Sequence, residues 1–363
     1  FEGTPVHVGS VMVSSILTAT EYYKLKPEQI ILGFVTGAEL ICRLALVSPM
    51  AIHKQGFHPT ATCGVFGAVA SAGYLMGLTK EQFVSAFGIA LSQSAGSMQF
   101  LTDGAWTKRS HVGQAAQNGL NCATMAAEGF KGPSQAFEGQ WGYLHAYASG
   151  GDLKKALEGL GSKFETLNLG VKPYPSCRYS HAAIDGIIDL KKELDFSIDD
   201  LDDIDIGLSE TALNIIGYPL EDKQNPKSIV DGQFSMPFCA AVAAKSGGLK
   251  WDDYKDHLNN SDTLALCNKI KVNPDKDAEK CCPEFMSAKV KMVVKGKTYE
   301  KFVKIPKGEP ENFMKDEEFI SKFKGLTEPY LSNERVNQLT DLMLKIDQAN
   351  NVNSIFEYSQ IDL

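Results

Sequence analysis

Along the first half of the chain apolar residues recur at intervals of three and four between short polar runs, a spacing that predicts successive helices from residue 8 to about 165. The plainest stretches are Glu28 to Val47, Ala61 to Gly77, Glu81 to Ser94 and Gly113 to Gly129. The third is preceded by Thr79, with Gln82 three residues on, the capping-box pattern that satisfies backbone donors left over at a helix start. Gly64, Gly67, Ala70 and Gly73 put small residues at helical spacing, which predicts close approach of a neighbouring backbone. These glycines, like Gly33 and Gly37, lie inside helices and not in strand-to-helix turns, so they form no nucleotide loop. The longest apolar stretch, Ile30 to Ile52, is interrupted by Glu39 and Arg43, as suits a buried helix and not a membrane span.

From Lys172 the pattern changes. A proline-bounded segment, Lys172 to Pro175, leads into a helix, an acidic turn from Asp199 to Asp203 and a short strand-like run. Ala288 to Val294 alternates apolar and polar residues and faces Thr298 to Ile305 across Lys295-Gly296-Lys297, the layout of a hairpin. After Lys307-Gly308-Glu309-Pro310, helical patterns return at Asp316 to Phe323 and Asn333 to Gln348, the latter with Val336, Leu339, Met343 and Ile346 on one face. With 363 residues, more than one hydrophobic core organises, the expectation is a mainly α protein of two domains. It comprises a helical domain over 1–171, a smaller α+β domain over 172–310, and C-terminal helices over 311–363 that return to the first.

Composition narrows the function classes. Lys+Arg of 36 against Asp+Glu of 44 gives a net charge of -8, without the basic excess that neutralises phosphates, and a nucleic-acid partner is not expected. No membrane partner is expected either. The eight cysteines form no CxxC pair and no zinc spacing with histidine; they read as buried thiols in a reducing compartment, and no metal site is expected. The expected location is the cytoplasm, or the mitochondrion in a eukaryote. The chain opens at Phe1 without an initiator methionine, which reads as processing, truncation or an incomplete record. No Gly-x-Ser-x-Gly elbow is present, and Ser110-His111 carries no triad signature.

What remains is a set of cationic side chains placed just before predicted helix starts, where unpaired N–H groups and the helix dipole already favour anions. They are His7, His58, the pair Lys108-Arg109, and Arg178 with His181 in the run Pro175-Ser176-Cys177-Arg178-Tyr179-Ser180-His181. Taken singly, each has a plainer reading as a cap or a solvated charge. Taken jointly, they would bind a molecule with several carboxylates. His53, His111, His145 and His257 have no comparable context and read as structural.

At these segments the sequence resembles the MmgE/PrpD family, whose members include 2-methylcitrate dehydratase, cis-aconitate decarboxylase and iminodisuccinate epimerase. The resemblance runs through Thr4 to Ser10, Gly56 to Leu78, Gly96 to Gly119, Lys172 to Asp185 and Ser228 to Ala241, nearly the whole chain. It implies a large all-helical domain, an inserted α+β lid domain, an active site in the cleft between them, and a homodimer. His7 and His58 match two active-site histidines, Lys108 matches the active-site lysine, and Pro175 to His181 matches the lid edge of the cleft. The sequence departs from the family in lacking the longer portion before Thr4, with its aspartate-containing segment, and in carrying Met236 where some decarboxylases have a tyrosine.

The resemblance implies a lyase that transfers a proton at a carbon next to a carboxylate, in first place a 2-methylcitrate dehydratase-like hydro-lyase. An epimerase or decarboxylase of a related acid is the alternative within enzymes, and a catalytically silent binding protein the alternative outside them. Lys108 and Arg178, with Ser176, Arg109 and His181, would hold substrate carboxylates and spread developing negative charge. His58 and His7 would move protons, the division between them left open, and Lys108 is itself a candidate base if burial lowers its pKa. No metal or organic cofactor is required by this scheme.

Overall fold

The computed structural model describes residue 1, residues 4–350 and residues 352–361, with the side chain of Asp103 also outside the description. The chain divides into two compact units, Phe1–Leu169 with Tyr330–Leu363, and Gly170–Pro329. As the helical spacing predicts, the first unit is built from helices: α1 (Val8–Tyr23), α2 (Pro27–Val47), α3 (Pro59–Met76), α4 (Lys80–Leu91) and α5 (Thr107–Ala127).

Helix α3 lies at the centre, with every residue from Pro59 to Gly73 buried and α1, α2, α4 and α5 packed around it. Its small residues make that possible. A Cβ built on Gly67 would stand 2.8 Å from the carbonyl oxygen of Gly37 on α2, so these two helices cross nearly backbone to backbone. Gly67→Ala is therefore expected to cost about 1–3 kcal/mol through overpacking. Gly113→Ala, on α5 with nothing within 4 Å of the added carbon, is expected to stabilise by about 0.5–1 kcal/mol. Urea denaturation of both variants checks the pair, and equal effects at the two sites would refute the close crossing.

The capping box at α4 is formed, with Gln82 N–H donating to Thr79 Oγ1 at 3.3 Å and Thr79 N–H to Gln82 Oε1 at 2.8 Å. Among the described residues α2 alone is long and apolar enough to cross a membrane, yet 56% of its apolar window is buried inside the unit. It carries the buried Arg43 and its partner Glu39, so it reads as a core helix.

The second unit holds α6 (His181–Leu194), β1 (Leu201–Leu208), α7 (Met236–Ser246), β2 (Ile270–Pro274), β3 (Ala288–Val294), β4 (Lys297–Val303) and α8 (Asp316–Thr327). The sheet order is β2-β1-β3-β4; β1 pairs with β2 parallel, and the other pairs are antiparallel. Ala288, Val290, Met292 and Val294 of β3 turn inward onto a core shared with Ile184 and Ile187 of α6 and the apolar length of α7. Lys295 and Gly296 adopt φ of 50° and 72°, a two-residue turn with both positions left-handed, which matches the twist of a hairpin. The second strand thus begins at Lys297, one residue before the sequence expectation.

Three expectations are revised. Helix α8 belongs to the second unit, where Lys322 Nζ donates to the Lys172 carbonyl at 2.6 Å and Lys307 pairs with Glu318. The return to the first unit therefore starts at Tyr330, before α9 (Asn333–Leu344), and not after residue 310. On α9, Val336 and Leu339 are buried but Met343 is 45% exposed, and Thr340 takes the inward position next to them. All eight cysteines are free thiols; five are buried, while Cys177, Cys281 and Cys282 are half-buried.

Candidate active site

Two of the predicted histidines sit at the N-termini of neighbouring helices in the first unit. His7 occupies the N-cap position of α1 and His58 that of α3, neither with a side-chain capping hydrogen bond. They are linked through Thr60, buried in the first turn of α3, whose Oγ1 accepts from the His7 backbone N–H at 3.0 Å and stands 3.2 Å from the His7 ring Nδ1. Pro59 at the first helical position fixes the start of α3, because its ring presets a helical φ and no backbone donor is lost there.

The loop before α3 is pinned to the loop after α4. His58 N–H donates to the Gly96 carbonyl at 2.9 Å and Met98 N–H to the Gly56 carbonyl at 2.8 Å, around an isolated antiparallel bridge of Phe57 with Ser97. Gly96 has φ of 136°, and a Cβ there would come within 3.3 Å of the His111 ring. Glycine is thus required on two counts, by backbone conformation and by the ring beside it.

His58 is buried, edge-on to Phe100 at 5.6 Å between centroids, and its Nδ1 lies 3.4 Å from Nδ1 of His111 on α5. Burial, and then the charge of Lys108 and the neighbouring His111, hold His58 down to about 3, so its imidazole is neutral at physiological pH. His111 is half-buried and is also shifted below the ordinary histidine value by burial. Lys108, in the first turn of α5, places Nζ 5.7 Å from the centre of the Phe100 ring. Phe100 is thus the apolar wall shared by His58, His111 and Lys108.

The structure therefore groups His58 and Lys108 with Phe100 and His111, and ties His7 to the first turn of α3 through Thr60; Thr60, Phe100 and His111 are residues the sequence reading had not singled out for chemistry. His111, read from the sequence as structural, has its Nδ1 3.4 Å from Nδ1 of His58. The signal that could have found it is its spacing from Lys108, because residues three apart share a helix face. By the same spacing Arg109 points elsewhere. Its guanidinium lies 5.1 Å from the centre of the exposed Trp106 ring.

The second unit places Ser176, Arg178 and His181 close to one another around the start of α6. Arg178 already holds a carboxylate: Nε and Nη2 both bind the buried Glu309, so the fork predicted for substrate has a resident partner 131 residues away. Ser176 Oγ is 2.8 Å from Ser180 Oγ, and both serines are buried. His181 is buried and edge-on to Tyr174, whose hydroxyl donates to Asp185 at 2.6 Å. Burial, with the charges of Lys172 and Arg178, keeps His181 well below the usual histidine range. Its Nε2 is one of few buried polar atoms without a hydrogen-bond partner among the described residues. Also among the described residues, no three His, Cys, Asp or Glu side chains cluster as metal ligands.

A cis-aconitate decarboxylase-like protein, oryM, of Aspergillus oryzae is 24% identical over 97% of this chain and 76% of its own length. The cis-aconitate decarboxylase of Aspergillus terreus is 23% identical with the same coverage. The human cis-aconitate decarboxylase is 23% identical over 67% of this chain and 50% of its own length. Residues 1–156 match the MmgE/PrpD N-terminal domain and residues 174–348 the MmgE/PrpD C-terminal domain, so the chain is a member of the MmgE/PrpD family.

Proposed function

We propose that this protein is a lyase that moves a proton at a carbon next to a carboxylate of a small polycarboxylate, in first place eliminating water from a 2-methylcitrate-like hydroxy acid. The observation that carries the reading is the group His7, His58, His111 and Lys108, joined through Thr60 and Phe100 on three adjacent helices. Elimination beside a carboxylate builds negative charge on carbon, and a preorganised cation is the least costly way to stabilise it. Lys108 supplies that cation; His58, neutral at physiological pH, has a free lone pair but is a weak base, so a proton it takes must be passed on to a neighbouring group. His7, exposed at the start of α1, would protonate the departing hydroxyl in this scheme.

Loss of CO2 is the second reading, favoured by the names of the Aspergillus relatives. It would use the same cation for the same reason, since decarboxylation also leaves an electron pair on carbon. Against it stands Met236, buried in the core of the second unit, whose thioether has no proton to give where some decarboxylases of the family carry a tyrosine.

Proton NMR in deuterated water with 2-methylcitrate, citrate, cis-aconitate and iminodisuccinate-like acids tests both. Alkene formation from a hydroxy acid supports the first reading, loss of CO2 the second, and deuterium exchange alone an epimerase. Silence across the panel from folded protein would count against all three. The scheme needs no metal, organic cofactor or nucleic acid, so added EDTA is expected to leave the rate unchanged; EDTA-sensitive activity restored by a defined metal would overturn that part. A homodimer is expected in sedimentation, and a stable monomer would remove it from the reading.

A further inference from the structure

In the first unit the rings of His58 and His111 approach Nδ1 to Nδ1 at 3.4 Å. Two ring nitrogens that share a hydrogen bond cannot carry the same proton state. One must donate and the other accept, so when both rings are neutral their tautomers are locked to one another. If His58 carries its proton on Nδ1, its Nε2 is a bare lone pair, and His111 must carry its own proton on Nε2.

The two rings differ in the cost of positive charge. His58 is 4% exposed, and the charges it senses are those of Lys108, His111 and His53. An imidazolium there would be buried beside a lysine. His111 is half-buried, on the face of α5 shared with Lys108, and stands against Gly96, where no side chain fills the space.

Resting on the lyase reading above, we propose that His111 is a positioning residue that orients His58 and takes over its proton during the reaction. In the forward step the electron pair of the substrate C–H bond stays on carbon and the proton moves to His58 Nε2. At the same time the Nδ1 proton of His58 crosses to Nδ1 of His111. His58 ends neutral with its tautomer inverted, His111 ends as the imidazolium, and the carbanion's charge faces Lys108. Return of a proton to carbon runs along the same path in reverse. No oxidant, reductant or further reactant is needed, and the chain keeps its charge away from the most buried ring.

Two substitutions separate this relay from simple packing. In His111→Asn the side-chain amide can still hold His58 Nδ1 but cannot take a proton; in His111→Phe the ring volume remains without any polar contact. Both are assayed on whichever acid the wild-type protein turns over, with thermal melts to establish folding. The relay predicts that kcat falls about a hundredfold in each, with KM within about twofold. It also predicts that the acid limb His111 gives to the pH profile of kcat, below the ordinary histidine value, disappears in His111→Asn. If His111→Asn keeps the wild-type kcat and pH profile, the relay is overturned while the lyase reading survives. If the wild type is silent on every acid, the two fall together, and that outcome is recognised in the wild type alone. Should His111→Phe fail to fold, His111→Asn carries the test.

Discussion

Lys108→Met is expected to lower kcat/KM for the responsive acid by about a thousandfold or more, the scale on which removal of a preorganised charge stabiliser is felt. The fold is expected to survive, because methionine retains most of the stem that packs against Phe100 while the charged tip is lost. A melting temperature within about 2 °C of wild type would establish this. Lys108→Arg then separates two roles left open. Arginine keeps a positive charge but does not deprotonate in proteins, so partial activity would make Lys108 an electrostatic anchor, and complete loss would point to the base. Burial is the main cause that lowers His58 and the lysine charge the next, so the methionine variant should let the His58 pKa rise only part of the way from about 3. Activity within tenfold of wild type in Lys108→Met would remove the residue from the chemistry.

His7 and His58 were legible as helix starts because a proline stands near each, Pro5 and Pro59, whereas Lys108 was expected before a helix from Gly113 and lies in the first turn of one that begins at Thr107. The glycine spacing of α3 was legible for a similar reason: a run of small residues at helical intervals has few uses other than a close crossing. What could not be read were pairings between distant segments. His111 meets His58 across 53 residues, and Arg178 meets Glu309 across 131. Nothing near Arg178 in sequence shows that its fork is already engaged. Thr60 was hidden differently, because a threonine in a first turn looks like a capping residue, and only its hydrogen bond to His7 ties two helix starts together. The parallel partner of β1 was missed as well. Strand β2 is five residues long and shows burial at only two of them, too short a pattern to separate from a loop.

Arg43→Met is expected to destabilise the first unit by about 3–5 kcal/mol, the range for breaking a buried charged pair by removing one partner. Arg43 is almost fully buried on α2. Nε donates to Glu39 at 2.9 Å, Nη1 to the carbonyls of Ala156 and Glu158 at 3.0 and 2.9 Å, and Nη2 to the carbonyl of Lys163. Glu39 in turn accepts from the backbone N–H and the hydroxyl of Thr166, each at 2.6 Å. One ion pair thus ties the segment 156–166, which has little regular structure of its own, to α2. Burial pushes the Glu39 carboxyl up, but the Thr166 and Arg43 hydrogen bonds outweigh it and leave the group below its ordinary value of 4.5. A carboxyl lowered by folding adds stability above its unfolded pKa and loses it as pH falls through the folded value. Without Arg43 one of the lowering contacts is gone while burial remains, so the folded pKa rises and the acid-side loss shrinks. Urea denaturation at pH 7 and pH 4 should therefore show a large gap between wild type and Arg43→Met at pH 7 and a smaller one at pH 4. Protease cleavage within 156–166 should accelerate in the variant, since the segment opens once its carbonyls lose their donor. A loss below about 1 kcal/mol at pH 7 would mean that water satisfies those carbonyls and that the segment is held by its apolar contacts instead.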